Sequence, residues 1–386
     1  MKILFLASNF VSETHTVSHE VVLNALIKEF SVFSDVYLAT THSLNIKKKK
    51  FKSFYYLGDF SSYLKKKKSI FNLEYFFEKE KELEVKLKVK DMDYVILFWD
   101  TYFDLFNFRN YKNIIAYSAK PRFSNAKSEL KIQKFSLLNV KSILNLINIF
   151  LLEKIHYSRY KKFYKNYNIC NTDTLISQKK GITCKYLNNT WPNFFSKNIL
   201  KQRKNIKKKC LNILVNIGNV NSTGNRIGIE YFFKNILPYL EKDVIQKKVK
   251  LVFCGSGELH NFYSKEQLNL IEMKGYVKDL DTEIKKSDIF LLCNNVGYHY
   301  GGYTRVIYFM SSGAPLIAHK NLSKSMPELK HNYNCMLSEN KFEMCEYLRA
   351  LISDHNLRHK ISFNALKTYK EIYSPGVVVK KLLNEK

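Results

Sequence analysis

Twice along this chain, short runs of almost wholly apolar residues end in small polar residues and give way to helical spacing. The first series contains "KILFLAS", "DVYLATT", "DYVILFWD" and "NIIAYSA". The second starts afresh near residue 211 with "LNILVNIG", followed by "KLVFCGSG", "DIFLLCN" and "PLIAH". A strand with one wet face alternates apolar and polar residues, so runs that are apolar throughout belong to sheets covered on both faces. Helical stretches lie between them, such as "SHEVVLNALIKEF", where Val22, Leu26 and Phe30 recur at helical spacing. The expectation is an α/β chain of two parallel-sheet domains facing a cleft, with ligands at the carboxyl ends of the strands.

The break between the two series falls after "NNTWPNFFSKN", where Pro192 favours an extended Trp191, and the basic "KNILKQRKNIKKK" reads as a linker. The expected domains are 1–195 and 196–373. A last helix, 374–386, follows the break at Ser374-Pro375-Gly376 and is expected to return to the first domain. In the second series "RIGIEYFFKNILPYL" and "KEQLNLIEM" read as helices and "KGYV" as a short strand.

Charge narrows the partners. Lys and Arg number 63 against 34 Asp and Glu, a net +29, which favours anionic partners. No helix-turn-helix, zinc-finger or RNP-type motif accompanies the charge and the Lys runs sit mainly in loops, so no specific nucleic acid is expected. The seven Cys residues, Cys170 to Cys345, are odd in number, scattered and form no C-x-x-C pair, which argues against a disulfide framework or structural zinc and fits a reducing cytoplasm. "MKILFLASNF" reads as a first strand and not as a signal peptide.

Residues 127–168 read as long and helical, with Leu137, Leu144 and Leu151 repeating every seven residues among Lys131, Lys134, Lys141, Lys154, Arg159, Lys161 and Lys162. Asn145, Asn148 and Glu153 interrupt its apolar part, which falls short of a membrane span. Three readings stay open: a helix packed on its own domain, a basic face for an anionic membrane surface, or an acceptor-binding wall. The second would place the chain peripherally on the inner face of the plasma membrane.

Three segments of the second series carry binding chemistry. In "VNIGNVNSTGNRIGIEYF" a strand ends at Gly218 and a helix begins near Arg226, a turn whose amides and helix dipole favour an anion. "CGSGEL" is a second strand ending in glycines, at Gly255 and Gly257. In "NNVGYHYGGYTRVIYFMSSGAPLIAH", Gly301 and Gly302 precede a helix bearing Thr304 and Arg305, which reads as a diphosphate cradle.

The order of these segments resembles the C-terminal domain of GT-B-fold glycosyltransferases, in particular the large family of retaining group 1 enzymes. "GNVNSTGNRIGIEYFFKNILPYL", "LVFCGSGE", "GYVKDLDTEIKKSDIFLL" and "GGYTRVIYFMSSGAPLIAH" follow in the family's order. The resemblance implies two Rossmann-like domains and transfer of a sugar from a nucleotide-sugar co-substrate, with no bound metal or other cofactor. It places Gly218, Asn219 and Arg226 near the donor phosphates and Tyr276 and Val277 by the base, with Gly255 a further donor-binding candidate from its own strand-end turn. Gly301, Gly302, Tyr303, Thr304 and Arg305 would meet the sugar and pyrophosphate, and His299, beside the glycines, is a further candidate to touch the donor. The basic face without a spanning segment leads to the expectation of a glycan or lipid-linked glycan acceptor, as in surface polysaccharide or lipopolysaccharide assembly.

One departure stands out. Many members carry a Glu-x7-Glu pair, whose second Glu holds the donor ribose and whose first contacts the sugar; here the two positions are Tyr300 and Tyr308. A phenol can still hydrogen-bond a ribose but brings no charge. A catalytically silent binding or scaffold protein of the same fold is therefore the alternative. Candidate acid–base groups in the first domain are His15 and His19, with Glu13 beside them, in or just after the loop leaving the first strand. Asp100, at the carboxyl end of "DYVILFWD", is another.

Overall fold

The computed structural model describes residues 1–7, 18–40, 52–56, 82, 85–99, 113–119, 140–161, 163, 165–195, 198–204, 208–259, 263–294 and 304–384. The chain divides into two compact units, Met1–Thr190 with Pro375–Lys386, and Trp191–Ser374.

In the first unit β1 (Lys2–Ala7), α1 (Ser18–Phe30), β2 (Asp35–Thr40), β3 (Ser53–Tyr56), β4 (Tyr94–Phe98) and β5 (Ile114–Ser118) follow one another. After them come α2 (Val140–Tyr160), β6 (Lys165–Asn168), α3 (Asn171–Lys179) and β7 (Lys185–Tyr186). The seven strands form one sheet in the order β3-β2-β1-β4-β5-β6-β7. Its pairs are parallel, with Leu4 opposite Tyr37 on one side of β1 and Val95 on the other. Ile3, Leu4, Phe5 and Leu6 are all buried, as a strand covered on both faces requires.

The second unit begins with α4 (Ile199–Lys204), β8 (Leu211–Asn216), α5 (Thr223–Asn235), α6 (Leu237–Ile245), β9 (Val249–Phe253) and α7 (Lys265–Asn269). β10 (Ile271–Met273), α8 (Leu280–Lys286), β11 (Ile289–Leu292), α9 (Thr304–Ser312) and β12 (Leu316–His319) come next. α10 (Asn321–Ser325), β13 (Met336–Ser338), α11 (Lys341–Ser353) and α12 (His355–Thr368) complete it. Its parallel sheet runs β10-β9-β8-β11-β12-β13. The strand order turns about β1 in one unit and β8 in the other, the switch points at which such sheets open a crevice.

A π-turn over Tyr369–Tyr373 ends α12, and α13 (Pro375–Asn384) then belongs to the first unit. It lies against α1, where a Cβ added to Gly376 would stand 3.3 Å from Glu29 Oε2. Lys381 Nζ there donates to Asn188 Oδ1 at 2.9 Å.

The structure redraws several boundaries. Helix α2 stops at Tyr160 and strand β6 replaces the helical reading of 165–168. That strand is polar, and the Nδ2 of its buried Asn166 lies within hydrogen-bonding distance of the carbonyls of Tyr160, Phe163 and Thr183, so no apolar run marked it. "KEQLNLIEM" divides into α7 and the edge strand β10, which pairs Met273 with Phe253. "KGYV" is not a strand, because Gly275 at φ +60° turns the backbone away. "RIGIEYFFKNILPYL" divides at Ile236, since Pro238 lacks the N–H that would continue the helix. The units meet in sequence at Thr190–Trp191, and the strap Trp191–Phe195 belongs to the second.

Candidate active site

Strand β8 ends at Asn216, whose Nδ2 donates to the carbonyls of Gly218 (3.1 Å) and Cys254 (3.3 Å) and so ties two strand-end turns together. The turns lie closer than any side chain permits. A Cβ on Gly255, which has φ +147°, would fall 1.8 Å from the Gly218 carbonyl oxygen. Gly218 itself has φ +90°. Val220 N donates to Ser256 O at 2.9 Å and Gly255 N to Gly275 O at 2.7 Å, which stacks a third turn on the first two. Gly218 and Asn219 are exposed.

Helix α5 starts at Thr223, three residues before the expected point, with Ser222 as its N-cap. The Ser222 hydroxyl makes no capping bond and the first turn holds no acidic residue. By contrast α7, α8, α11 and α12 are capped by the side chains of Ser264, Asp279, Asn340 and Asp354. The first-turn amides of α5 therefore keep their hydrogen-bonding capacity beside the exposed Gly218 turn, where the helix dipole favours negative charge. Arg226 is exposed on that first turn.

The buried amide of Asn225 joins the segments. Its Nδ2 donates to Asn219 O at 2.8 Å and to Ile217 O at 3.3 Å. Its Oδ1 accepts from Arg305 Nη1 at 2.6 Å and from Asn294 Nδ2 at 2.9 Å. One side chain thus fixes the turn after β8, the end of β11 and the first turn of α9. Gly228 lets α5 approach β11 this closely, since a Cβ there would lie 2.8 Å from Asn294 Oδ1. Thr304 and Arg305 are half-buried at the start of α9, another helix with no acidic first turn. The structure therefore gathers Gly218, Asn219, Gly255 and Arg305 around one hub. Asn225 and Asn294 escaped the sequence reading, because an asparagine in a Gly-rich turn looks like turn chemistry until its partners are known.

Tyr308 lies one turn beyond Thr304, but its hydroxyl donates to Asp281 of α8. Its ring is enclosed by the strap, with Trp191 at 5.0 Å and Phe195 at 5.8 Å between centroids. Burial, and then the Asp281 carboxylate, push its phenol well above the ordinary tyrosine value. Tyr369 donates to Trp191 O at 2.8 Å and holds the strap in place. Arg203 braces the same two helices from behind: it donates to Ile284 O and Ser287 O at the end of α8 and to Ser312 O at the end of α9. Burial lowers this guanidinium to about 10, with nearby Asp288 acting the other way, so it stays charged at neutral pH.

Tyr276, 73% exposed, and the half-buried Val277 follow Gly275 at the end of the β10 segment. In the first unit His19 is half-buried at the start of α1, with its ring 6.2 Å from that of Trp99 beyond β4. Glu20 beside it is buried, a carboxylate no sequence signal had marked. His15, Glu13, Asp100, His299, Tyr300, Gly301, Gly302 and Tyr303 lie outside the described residues. Among the described residues no cluster of three or more His, Cys, Asp or Glu is placed to hold a metal ion. All seven cysteines are free thiols.

Comparison with known proteins places this arrangement. Residues 212–354 match the family model for glycosyl transferases group 1. No curated protein matches the sequence. Among solved structures, Alr3699/HepE of Anabaena in complex with UDP and glucose is 14% identical with a TM-score of 0.61, over 99% of this chain and 98% of that one. WaaG, a glycosyltransferase involved in lipopolysaccharide biosynthesis, is 13% identical with a TM-score of 0.61, over 99% of this chain and all of its own (100%). A TarM mutant of S. aureus, in complex with Fondaparinux, alpha-GlcNAc-glycerol and UDP, is 12% identical with a TM-score of 0.64, over 99% of both chains. The chain thus has the GT-B fold of these glycosyltransferases, and residues 212–354 of its second unit are similar to the glycosyl transferases group 1 family.

Proposed function

We propose that the chain transfers a glycosyl group from a nucleotide-diphosphate-sugar donor to a hydroxyl of a glycan or lipid-linked glycan, in the assembly of a surface polysaccharide or lipopolysaccharide. The observation that carries the donor half is the α5 start: an uncapped helix N-terminus beside the exposed Gly218 turn, with Arg305 drawn to it through Asn225. The UDP in the Anabaena and S. aureus structures supports the same class of donor, and WaaG the same class of pathway.

On this reading the donor diphosphate lies against the amides of Thr223 and Gly224, with Arg226, Thr304 and Arg305 around it. As the bond from sugar to phosphate breaks, negative charge grows on the leaving phosphate oxygen. Amides and guanidinium groups already in position stabilise it without rearranging, the largest single contribution such sites make. These groups can neutralise the leaving group without a bound metal. Gly255 clears the floor of the site, and the exposed Tyr276 ring is the surface for the base. His19 is the described candidate to accept the acceptor hydroxyl's proton.

A thermal-shift screen of UDP-, GDP- and dTDP-sugars, followed by measurement of released nucleoside diphosphate with acceptor and with EDTA, tests this. Stabilisation by one nucleotide class and turnover that survives EDTA are expected. The absence of any shift across all donors would overturn the reading.

A further inference from the structure

Trp99 stands just beyond β4 with a backbone φ of +56°. That left-handed region suits glycine and is taken by asparagine more often than by most residues, so a bulky aromatic residue there is an outlier. Among the described residues Lys88, Lys247 and Asn332 are the other non-glycine positions with positive φ, and none of them is aromatic. Strain of this kind lasts only where the surroundings enforce it, and it gathers at ligand clamps and active sites.

Two contacts enforce it here. The Trp99 N–H donates to Tyr117 O at 2.7 Å, which carries the pairing of β4 with β5 one residue further. The indole lies along the Phe98 ring, with centroids 5.1 Å apart and planes 10° from parallel, and Phe98 packs on Tyr117 at 5.9 Å. Phe98 and Tyr117 are buried, but Trp99 is only half-buried. An indole that merely filled the core would be buried with them. β4 pairs with β1, and the strand order turns at that pair, so the end of β4 borders the crevice in which open α/β sheets hold ligands. His19, on the first turn of the helix that follows β1, has its ring 6.2 Å from the indole.

We infer that the open part of the Trp99 indole is a platform for a pyranose ring of the acceptor glycan, with His19 at the rim of that ring. A pyranose has C–H bonds on its faces and hydroxyls around its edge. The slightly positive C–H hydrogens match the negative face of an aromatic ring, and the contact removes apolar area from water. An indole already fixed in one orientation sets the tilt of the sugar and avoids the ordering that a mobile side chain would require. The hydroxyls at the rim are then left to polar neighbours such as His19. The inference rests on the acceptor half of the proposed function. It gives the first unit a residue that touches substrate through the apolar face of a sugar and takes no part in proton transfer.

The chain has two tryptophans, Trp99 and Trp191, so Trp191→Phe leaves Trp99 as its one indole and as the reporter. Titration of this variant with methyl β-glucopyranoside, methyl β-galactopyranoside or chitobiose is expected to shift the indole emission saturably with at least one of them. Sorbitol, which has the hydroxyls but no ring, is expected to leave it unchanged. In turnover with acceptor, Trp99→Gly suits the backbone and removes the platform. It is expected to raise the acceptor KM about tenfold, more than it lowers kcat, while stabilisation by the donor persists. Trp99→Phe keeps an aromatic face and is expected to raise that KM by about threefold or less. No emission change with any of the three sugars, an equal change with sorbitol, or an acceptor KM that Trp99→Gly leaves alone overturns the inference. Stabilisation by a donor without any emission change counts against Trp99 alone. An emission change with a pyranoside but no stabilisation by any donor supports the platform and counts against the nucleotide-sugar reading.

Discussion

Arg305 Nη1 donates to Asn225 Oδ1 at 2.6 Å, so the guanidinium at the start of one helix is oriented by an amide on the first turn of another. Asn225 also holds Asn219 O and Asn294, which means the bond sets turn, strand end and helix together. Arg305→Ala is expected to lower kcat/KM by about 10- to 100-fold, from the loss of a charge-assisted bond of about 1.5–3 kcal/mol. Asn225→Asp keeps the shape but replaces the donor to Asn219 O and Ile217 O with an acceptor and buries a negative charge beside the proposed diphosphate site, so it should weaken nucleotide affinity and also lower the melting temperature. Titration calorimetry with the nucleoside diphosphate distinguishes the two variants.

Gly255→Ala would force a methyl group to within 1.8 Å of the Gly218 carbonyl oxygen, on a backbone at φ +147°. Neither backbone segment can yield without parting the strand-end turns. A loss of about 2–4 kcal/mol is expected, accompanied by loss of nucleotide binding. Denaturant unfolding with and without nucleotide checks both parts.

Tyr308 gives the least intuitive expectation. Tyr308→Phe keeps the ring against Trp191 and Phe195 and removes only the bond to Asp281, at a cost of about 1–3 kcal/mol. Tyr308→Glu restores the residue type that many family members carry, yet here it sets a carboxylate against Asp281 and empties the aromatic pocket. It should destabilise more than Tyr308→Phe, and Asp281→Asn should recover part of that loss. A double-mutant cycle on positions 281 and 308 measures the coupling.

His319 provides a pH test. Burial is the main cause that lowers its pKa in the folded chain. The neutral ring uses both nitrogens, Nε2 against Glu339 O at 2.9 Å and Nδ1 accepting from Asn321 N at 3.2 Å. A proton on Nδ1 breaks the second bond. The unfolded chain therefore takes up the proton first, and stability present above about pH 6.5 is lost as the pH falls below it. His319→Gln is expected to flatten that portion of the melting temperature against pH.

The sequence by itself determined the two parallel sheets, because runs such as "KILFLA" and "LNILVN" have no wet face and must be covered twice. It also marked the Gly218 and Gly255 turns and the helix bearing Arg305, since strand, glycine and helix start are local signals. Local pattern was silent wherever polar groups are satisfied at a distance. β6 is a strand because it pairs with β5 and β7, with Asn166 Nδ2 reaching the carbonyl of Thr183, and no apolar run announces it. Asn225 became the hub of the site only when residues 69 and 80 positions away folded onto it. Tyr308 was legible as a missing carboxylate, but its bond to Asp281 was not. Tertiary structure decided these cases because a hydrogen bond between buried groups depends on which segments meet, and that is fixed by packing of the whole unit.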